Sequence, residues 1–211
     1  MTRIAIVSVS CAFAMAMSAT VAAEESPEDM LAKDAAVVQA CLDVTEVMRK
    51  AADAAEADPS GDDAQAEKKT GPAGHLEAAA REAGYAPESC IGVLSGPCME
   101  TEEGASTYGM MDCYGRESEV WDARLNASYR EQLAPESGPE VNAATAAMEA
   151  KQLRKVQTAW IPWRDATCEV LYADGIPIYG SLANVDAVHC IMVLTARQAL
   201  CMEGLSTLGF E

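Results

Sequence analysis

Aromatic side chains are scarce in this 211-residue chain, at 5% of residues with only two Phe and three Trp. A core with so few rings must be filled by aliphatic side chains, Ala and Met, a composition that leans helical. Histidine is scarcer still, since His75 and His189 are the whole supply. With no C-x-x-C pair either, a metal site is not expected. Basic residues number 15 against 33 acidic ones, a net charge of −18. A surface this acidic repels phosphate backbones and excludes nucleic acid, leaving basic proteins as the complementary class of partner. Beyond the first 23 residues no segment reads as long and apolar enough to span a bilayer, so no membrane partner is expected. Ser181 has no His and acid signature around it, and the many carboxylates are unplaced. Neither a catalytic constellation nor a cofactor is implied.

What is present begins with an export leader. Arg3 supplies a positive start, residues 4–17 an apolar stretch, and Val21-Ala22-Ala23 a small-residue cleavage site, so residues 1–23 read as a signal peptide. Cys11 is a poor lipidation site because Ser8-Val9-Ser10 offers no large apolar residue upstream. The exported protein is expected in the periplasm, where cysteines oxidise. Seven remain after the leader: Cys41, Cys90, Cys98, Cys113, Cys168, Cys190 and Cys201. Sequence alone leaves many pairings open. Cys98 and Cys113 bracket a Gly, Glu and Thr-rich loop, and Cys168 and Cys190 bracket a Gly/Pro loop, which favours those two bridges. Cys41–Cys90 follows, with Cys201 left over. The adjacent His189-Cys190 is read as part of a bridge, not as a base and nucleophile.

Periodicity predicts an all-α fold of three long helices plus short ones, stapled at their loops. Ser26-Pro27-Glu28-Asp29 starts a helix over 27–57, with Met30, Val37, Val38, Cys41, Val44 and Met48 as its apolar stripe. Residues 58–74 show Pro, Gly and mixed charge without apolar period, the pattern of a polar insert. Short helical segments are expected at 75–83 and 88–94, the second ended by Gly96-Pro97. Over 111–133, Tyr114, Ser118, Trp121, Leu125, Tyr129 and Leu133 keep one face. A helix over 141–171 is expected to bury Leu153, Val156, Trp160, Trp163 and Thr167, with Pro162 kinking it near Thr158. The last helix, 185–205, aligns Val188, Met192, Thr195, Ala199 and Met202. By organisation, 24–97 reads as a helical extension and 98–211 as the principal domain.

Three spaced signatures in the second half carry a resemblance. Cys98 and Cys113 followed by Trp121-Asp122-Ala123-Arg124-Leu125-Asn126-Ala127-Ser128-Tyr129 is similar to a "C … C … D-x-x-L-N-x-x-Y" stretch. Residues 153–168, LRKVQTAWIPWRDATC, resemble "L-R-x-x-Q-R-A-W-I-x-[FY]-R-D-A-x-C". Gly180-Ser181, Cys190 and Leu194-Thr195-Ala196-Arg197 resemble "G-S … C … L-T-x-x-R". Over about 98–205 the chain thereby resembles the LprI-like lysozyme inhibitor N-terminal domain family, small exported bacterial proteins. Thr158 and Trp163 depart from it, standing where Arg and Phe or Tyr are usual. The resemblance implies an exported helical domain and, for members that gave the family its name, lysozyme inhibition.

The matched positions Trp121, Asp122, Leu125, Asn126, Tyr129, Gln157, Trp160, Arg164 and Asp165 are read as architecture. The three Trp are assigned to the core. Asn126, Gln157 and Arg164 are assigned to an interhelical hydrogen-bond network, and Arg164-Asp165 and Asp122 to ion pairs. The functional expectation is a non-enzymatic binding protein that inhibits a lysozyme-type muramidase by covering its cleft. Its contacts are placed on loops: Glu100, Glu102 and Glu103, then Asp174, Tyr179 and Ser181 inside the Cys168–Cys190 loop. The other class in play is a structural or envelope-maintenance module with no enzyme target.

Overall fold

A computed structural model describes residues 26–57, 86–134, 142–173, 176–178 and 180–204. It is all-α, with five α-helices among the described residues: α1 (Pro27–Ala57), α2 (Ser95–Met99), α3 (Thr107–Leu133), α4 (Ala143–Cys168) and α5 (Leu182–Met202). Short 3-10 turns occupy Pro87–Cys90 and Glu169–Leu171. The only strands described are β1 (Tyr172–Ala173) and β2 (Ile176–Pro177), a two-residue antiparallel pair. The segments expected at 58–74 and 75–83 lie outside the described residues.

The helices start where local chemistry allows. Ser26 Oγ accepts from the Asp29 amide at 3.1 Å, with Pro27 at the first helical position and Glu28 and Asp29 facing the positive end of the dipole. Ser106 caps α3 by accepting from the Gly109 amide at 2.9 Å. That cap starts α3 four residues before the position expected from apolar spacing, which cannot register Thr107 or Gly109. Asn142 caps α4 through Ala144 at 2.9 Å. Gly96-Pro97, expected to end a turn, instead lie within α2, where a proline in the first turn gives up an amide that has no helical partner.

Val38, Cys41 and Leu42 of α1 join Cys90, Val120, Trp121 and Leu125, and Met192, Ala196, Ala199 and Leu200 of α5, in one buried cluster. Within α1 the stripe is rotated from the expected one. Met30 and Val37 are exposed, whereas the polar Asp34 and Thr45 are buried. Thr45 satisfies its hydroxyl on the Leu42 carbonyl at 2.8 Å. Asp34 pairs with Arg116 of α3 through two bonds, 2.9 Å and 2.6 Å, and this carboxylate raises the Arg116 pKa above its ordinary value. Arg124 ties three elements together, donating to Gln39 of α1 and, through two nitrogens, to Glu203 just past α5.

Helix α5 corrects the expectation that no segment after the leader suits a bilayer: its 21 residues are long and apolar enough to cross one, by length and composition alone. Their apolarity serves the core, since α5 packs most extensively on α3 and buries Val185, Met192, Ala196, Ala199 and Leu200. Helix α4 also differs from its expected seam. Leu153, Gln157, Trp160, Arg164 and Cys168 turn inward, while Val156, Trp163 and Thr167 are exposed. Trp163 is 53% exposed and is not a core residue. The polar Gln157 and Arg164 on the inward face hid the true seam from a reading based on apolarity. The helix continues through Pro162, and Thr158 Oγ1 donates to the Arg154 carbonyl at 2.7 Å one turn back.

The deepest polar group is Glu117 of α3, fully buried. Its Oε1 accepts from the Gly92 amide at 2.6 Å and from Trp121 Nε1 at 3.0 Å. Its Oε2 accepts from the Leu94 amide at 3.2 Å and from the Ser95 amide and hydroxyl, both at 2.8 Å. A buried carboxylate is tolerable when it is surrounded by donors in this way, and here it pins the turn 91–94 to α3. Gly92, at φ +100°, supplies the left-handed backbone that aims its amide inward.

Candidate interaction surface

The bridges join Cys41 to Cys90, Cys98 to Cys113, and Cys168 to Cys190, and Cys201 is a free, half-buried thiol. His189 therefore has no thiolate beside it; its ring packs 4.6 Å from Tyr114. That contact, with Arg124 against Glu203 at 2.7 Å further along, shows that α3 and α5 run parallel. Helix α4 runs opposite to them, because Cys168 meets Cys190 while Arg164 Nη1 reaches Thr195 Oγ1 at 3.3 Å. The starts of α3 and α5, the end of α4 and the β1–β2 hairpin therefore share one end of the bundle.

The acidic loop that leads into α3 lies at that end. It is held tightly: Thr101 Oγ1 donates to the Cys98 carbonyl at 2.8 Å and accepts from the Gly104 amide at 3.0 Å. A side chain at Gly104 would overlap the Cys98 carbonyl oxygen, and one at Gly109 would overlap that of Glu103. Both positions thus require glycine for close backbone approach. Glu100, Glu102 and Glu103 are exposed on this fixed loop. The hairpin is anchored by Tyr172, whose hydroxyl lies 2.6 Å from Asn184 Oδ1 in the first turn of α5.

Exposed apolar side chains accompany the carboxylates. Tyr108 is 79% exposed, Ile176 68%, Leu182 57% and Ile178 54%. Single exposed apolar residues are ordinary, but here four lie toward the same end of the bundle as three exposed carboxylates. Sequence reasoning singled out the acids and not the apolar residues, although Ile176 and Ile178 flank Pro177 within the turn it named. Ser181 is exposed just before α5; Asp174 and Tyr179 lie outside the described residues.

The matched positions divide between core and surface. Trp121 and Leu125 are buried, and Tyr129, Gln157 and Trp160 are half-buried. Asn126 is exposed and donates to Asp122 within its own helix at 2.7 Å. Arg164 pairs with Asp165 at 2.7 Å and lies 5.0 Å from the Trp160 ring centre. The buried Gln157 Oε1 has no partner among the described residues. Asn126, Gln157 and Arg164 thus form no joint network, and Asp122 does not share the Arg164–Asp165 pair. Asn126 and Asp122 are exposed on α3, whereas Gln157 and Arg164 are half-buried on α4.

A cavity of about 300 Å³ opens between α2 and the α3–α5 pair, lined by Gly96, Met99, Tyr114, His189, Met192 and Arg197. Ser95, in its wall, donates a hydrogen bond from its hydroxyl to Glu117 Oε2 at 2.8 Å. Among the described residues, no group of three or more His, Cys, Asp or Glu side chains is placed to hold a metal ion.

Comparison with known proteins adds one match. The family model described as lysozyme inhibitor LprI matches residues 98–200, a stretch that begins at Cys98 and ends in α5. No curated protein and no solved structure matches the chain.

Proposed function

From the LprI-family segment that the chain carries over residues 98–200, we propose that the protein is an exported, non-catalytic binding protein that inhibits a lysozyme-type muramidase. Residues 1–23 direct it to the periplasm and are removed there, consistent with three bridges that need an oxidising compartment. One observation carries the reading: a stapled loop with three exposed carboxylates shares an end of the bundle with exposed Tyr108, Ile176, Ile178 and Leu182. The carboxylates steer a basic muramidase toward this end, and the apolar side chains supply the desolvated centre that holds it. Fixing the loop by a bridge and two obligatory glycines lowers the entropy lost on docking. Inhibition follows from covering the cleft, with no bond made or broken in the inhibitor.

Titrating the oxidised protein into muramidases acting on cell-wall substrate, at low and high salt, tests this. The expected result is inhibition that saturates near one inhibitor per enzyme and weakens with salt. Reversing Glu100, Glu102 and Glu103 to Lys should weaken it about ten- to hundredfold. Absence of inhibition across several basic muramidases overturns the reading.

A further inference from the structure

Helix α4 carries a second apolar face that the described residues leave exposed. Its inward face packs chiefly on α5, yet Met148 is 69% exposed, Val156 46%, Trp163 53%, and Val170, in the turn after it, 71%. Gln152, Ala159 and Ala166 are exposed between them. The series 148, 152, 156, 159, 163, 166, 170 steps by three and four, the repeat of a helix–helix seam.

We propose that this face is an interface with a second copy of the same chain, the two α4 helices pairing antiparallel across a two-fold axis at Ala159. The spacing is self-complementary about that residue. Met148 and Val170 each lie eleven residues from it, Gln152 and Ala166 seven, and Val156 and Trp163 three and four. An isologous contact requires this symmetry of one patch with itself. A small residue at the crossing lets the axes approach to about 8 Å. Charge agrees with the arrangement. In a chain of net charge −18, the stretch 149–155 is basic, exposing Lys151, Arg154 and Lys155 against Glu149. Antiparallel pairing sets Lys151 about 3 Å along the axis from Glu169 of the other copy, on the same flank of the seam. A basic muramidase would be repelled by this stretch, which lies toward the other end of α4 from the acidic loop. The seam is about 35 Å long, which places the dimer among small, concentration-dependent interfaces.

Sedimentation equilibrium of the oxidised, exported protein tests the proposal. The mass is expected to rise from monomer toward dimer between micromolar and sub-millimolar concentration. Ala159→Arg, which sets a guanidinium on the two-fold crossing, should leave a monomer with unchanged circular dichroism. Lys151→Glu should weaken association about fivefold, and adding Glu169→Lys should restore it, because the double swap again faces opposite charges. Ala159→Cys should oxidise to a covalent dimer. A wild type that stays monomeric throughout overturns the proposal, as does a dimer indifferent to Ala159→Arg. So does a monomer whose Trp163 blue-shifts on phosphatidylglycerol vesicles, which would make the occupant a lipid surface.

Discussion

The indole of Trp121 and the carboxylate of Glu117 stand one turn apart on the same helix, joined by a 3.0 Å hydrogen bond, and both are fully buried. Neither is placed by its own helix alone. The carboxylate also takes three amides and a hydroxyl from residues 92–95, so the indole is oriented by a segment that precedes it by more than twenty residues. This makes Glu117 a sensitive position in the core. Glu117→Gln keeps the volume but turns an amide donor toward other donors, and should destabilise by about 3 kcal/mol. Urea unfolding under non-reducing conditions measures it, and a loss below the error of the fit would contradict the assigned role.

The acidic loop should respond to small changes at its glycines. Gly104→Ala and Gly109→Ala each introduce a methyl group where a backbone carbonyl stands, an overlap that should destabilise by about 2 kcal/mol. Muramidase inhibition should fall along with the melting temperature. Unchanged inhibition in the Gly104 variant would show that the loop geometry does not matter for docking.

The three bridges should differ in weight. Cys41–Cys90 closes 49 residues, Cys168–Cys190 22 and Cys98–Cys113 15. Chain entropy assigns about 4 kcal/mol to the longest and about 3 kcal/mol to the shortest. Paired Cys→Ser variants compared by chemical denaturation should follow that order. The Cys98–Cys113 variant should additionally lose inhibition, because its loop carries the carboxylates.

Arg124 offers a test of how α1, α3 and the end of α5 are held together. Arg124→Lys keeps the charge but cannot address Glu203 with two nitrogens and Gln39 with a third. A loss of about 1–2 kcal/mol is expected. Hydrogen exchange should show it as faster opening of the last turn of α5.

Much of the fold was legible in the sequence. The Ser26 cap, the bounds of α1, the spacing of Trp121 and Leu125, and the Cys98–Cys113 and Cys168–Cys190 bridges follow from signals that act over short distances or from brackets around turns, while Cys41–Cys90 was named from the cysteines that those two left. The failures share a cause: apolarity was used to find the buried face. Glu117 lies at the same four-residue spacing as Cys113, Trp121 and Leu125, and a carboxylate at such a position signals a polar anchor. The same bias put Val156 and Trp163 into the seam of α4 and left Gln157 and Arg164 beside it. Met30 and Val37 were placed in the α1 stripe, which the buried Asp34 and Thr45 show to be rotated. At the acidic end, Glu100, Glu102 and Glu103 were singled out from charge. Tyr108 and Leu182 could not be, because the parallel course of α3 and α5 that brings them to the same end is a property of tertiary packing.

The buried cluster has members on both sides of Cys98, where the family stretch begins. Val38, Cys41, Leu42 and Cys90 lie before it, and Val120, Trp121 and Leu125 pack among them from within it. A chimera that grafted residues 98–200 onto the leading segment of a relative would therefore inherit half of a jigsaw. The two halves must be exchanged as a matched set, and the amino-terminal helix sets which family segments this one can replace.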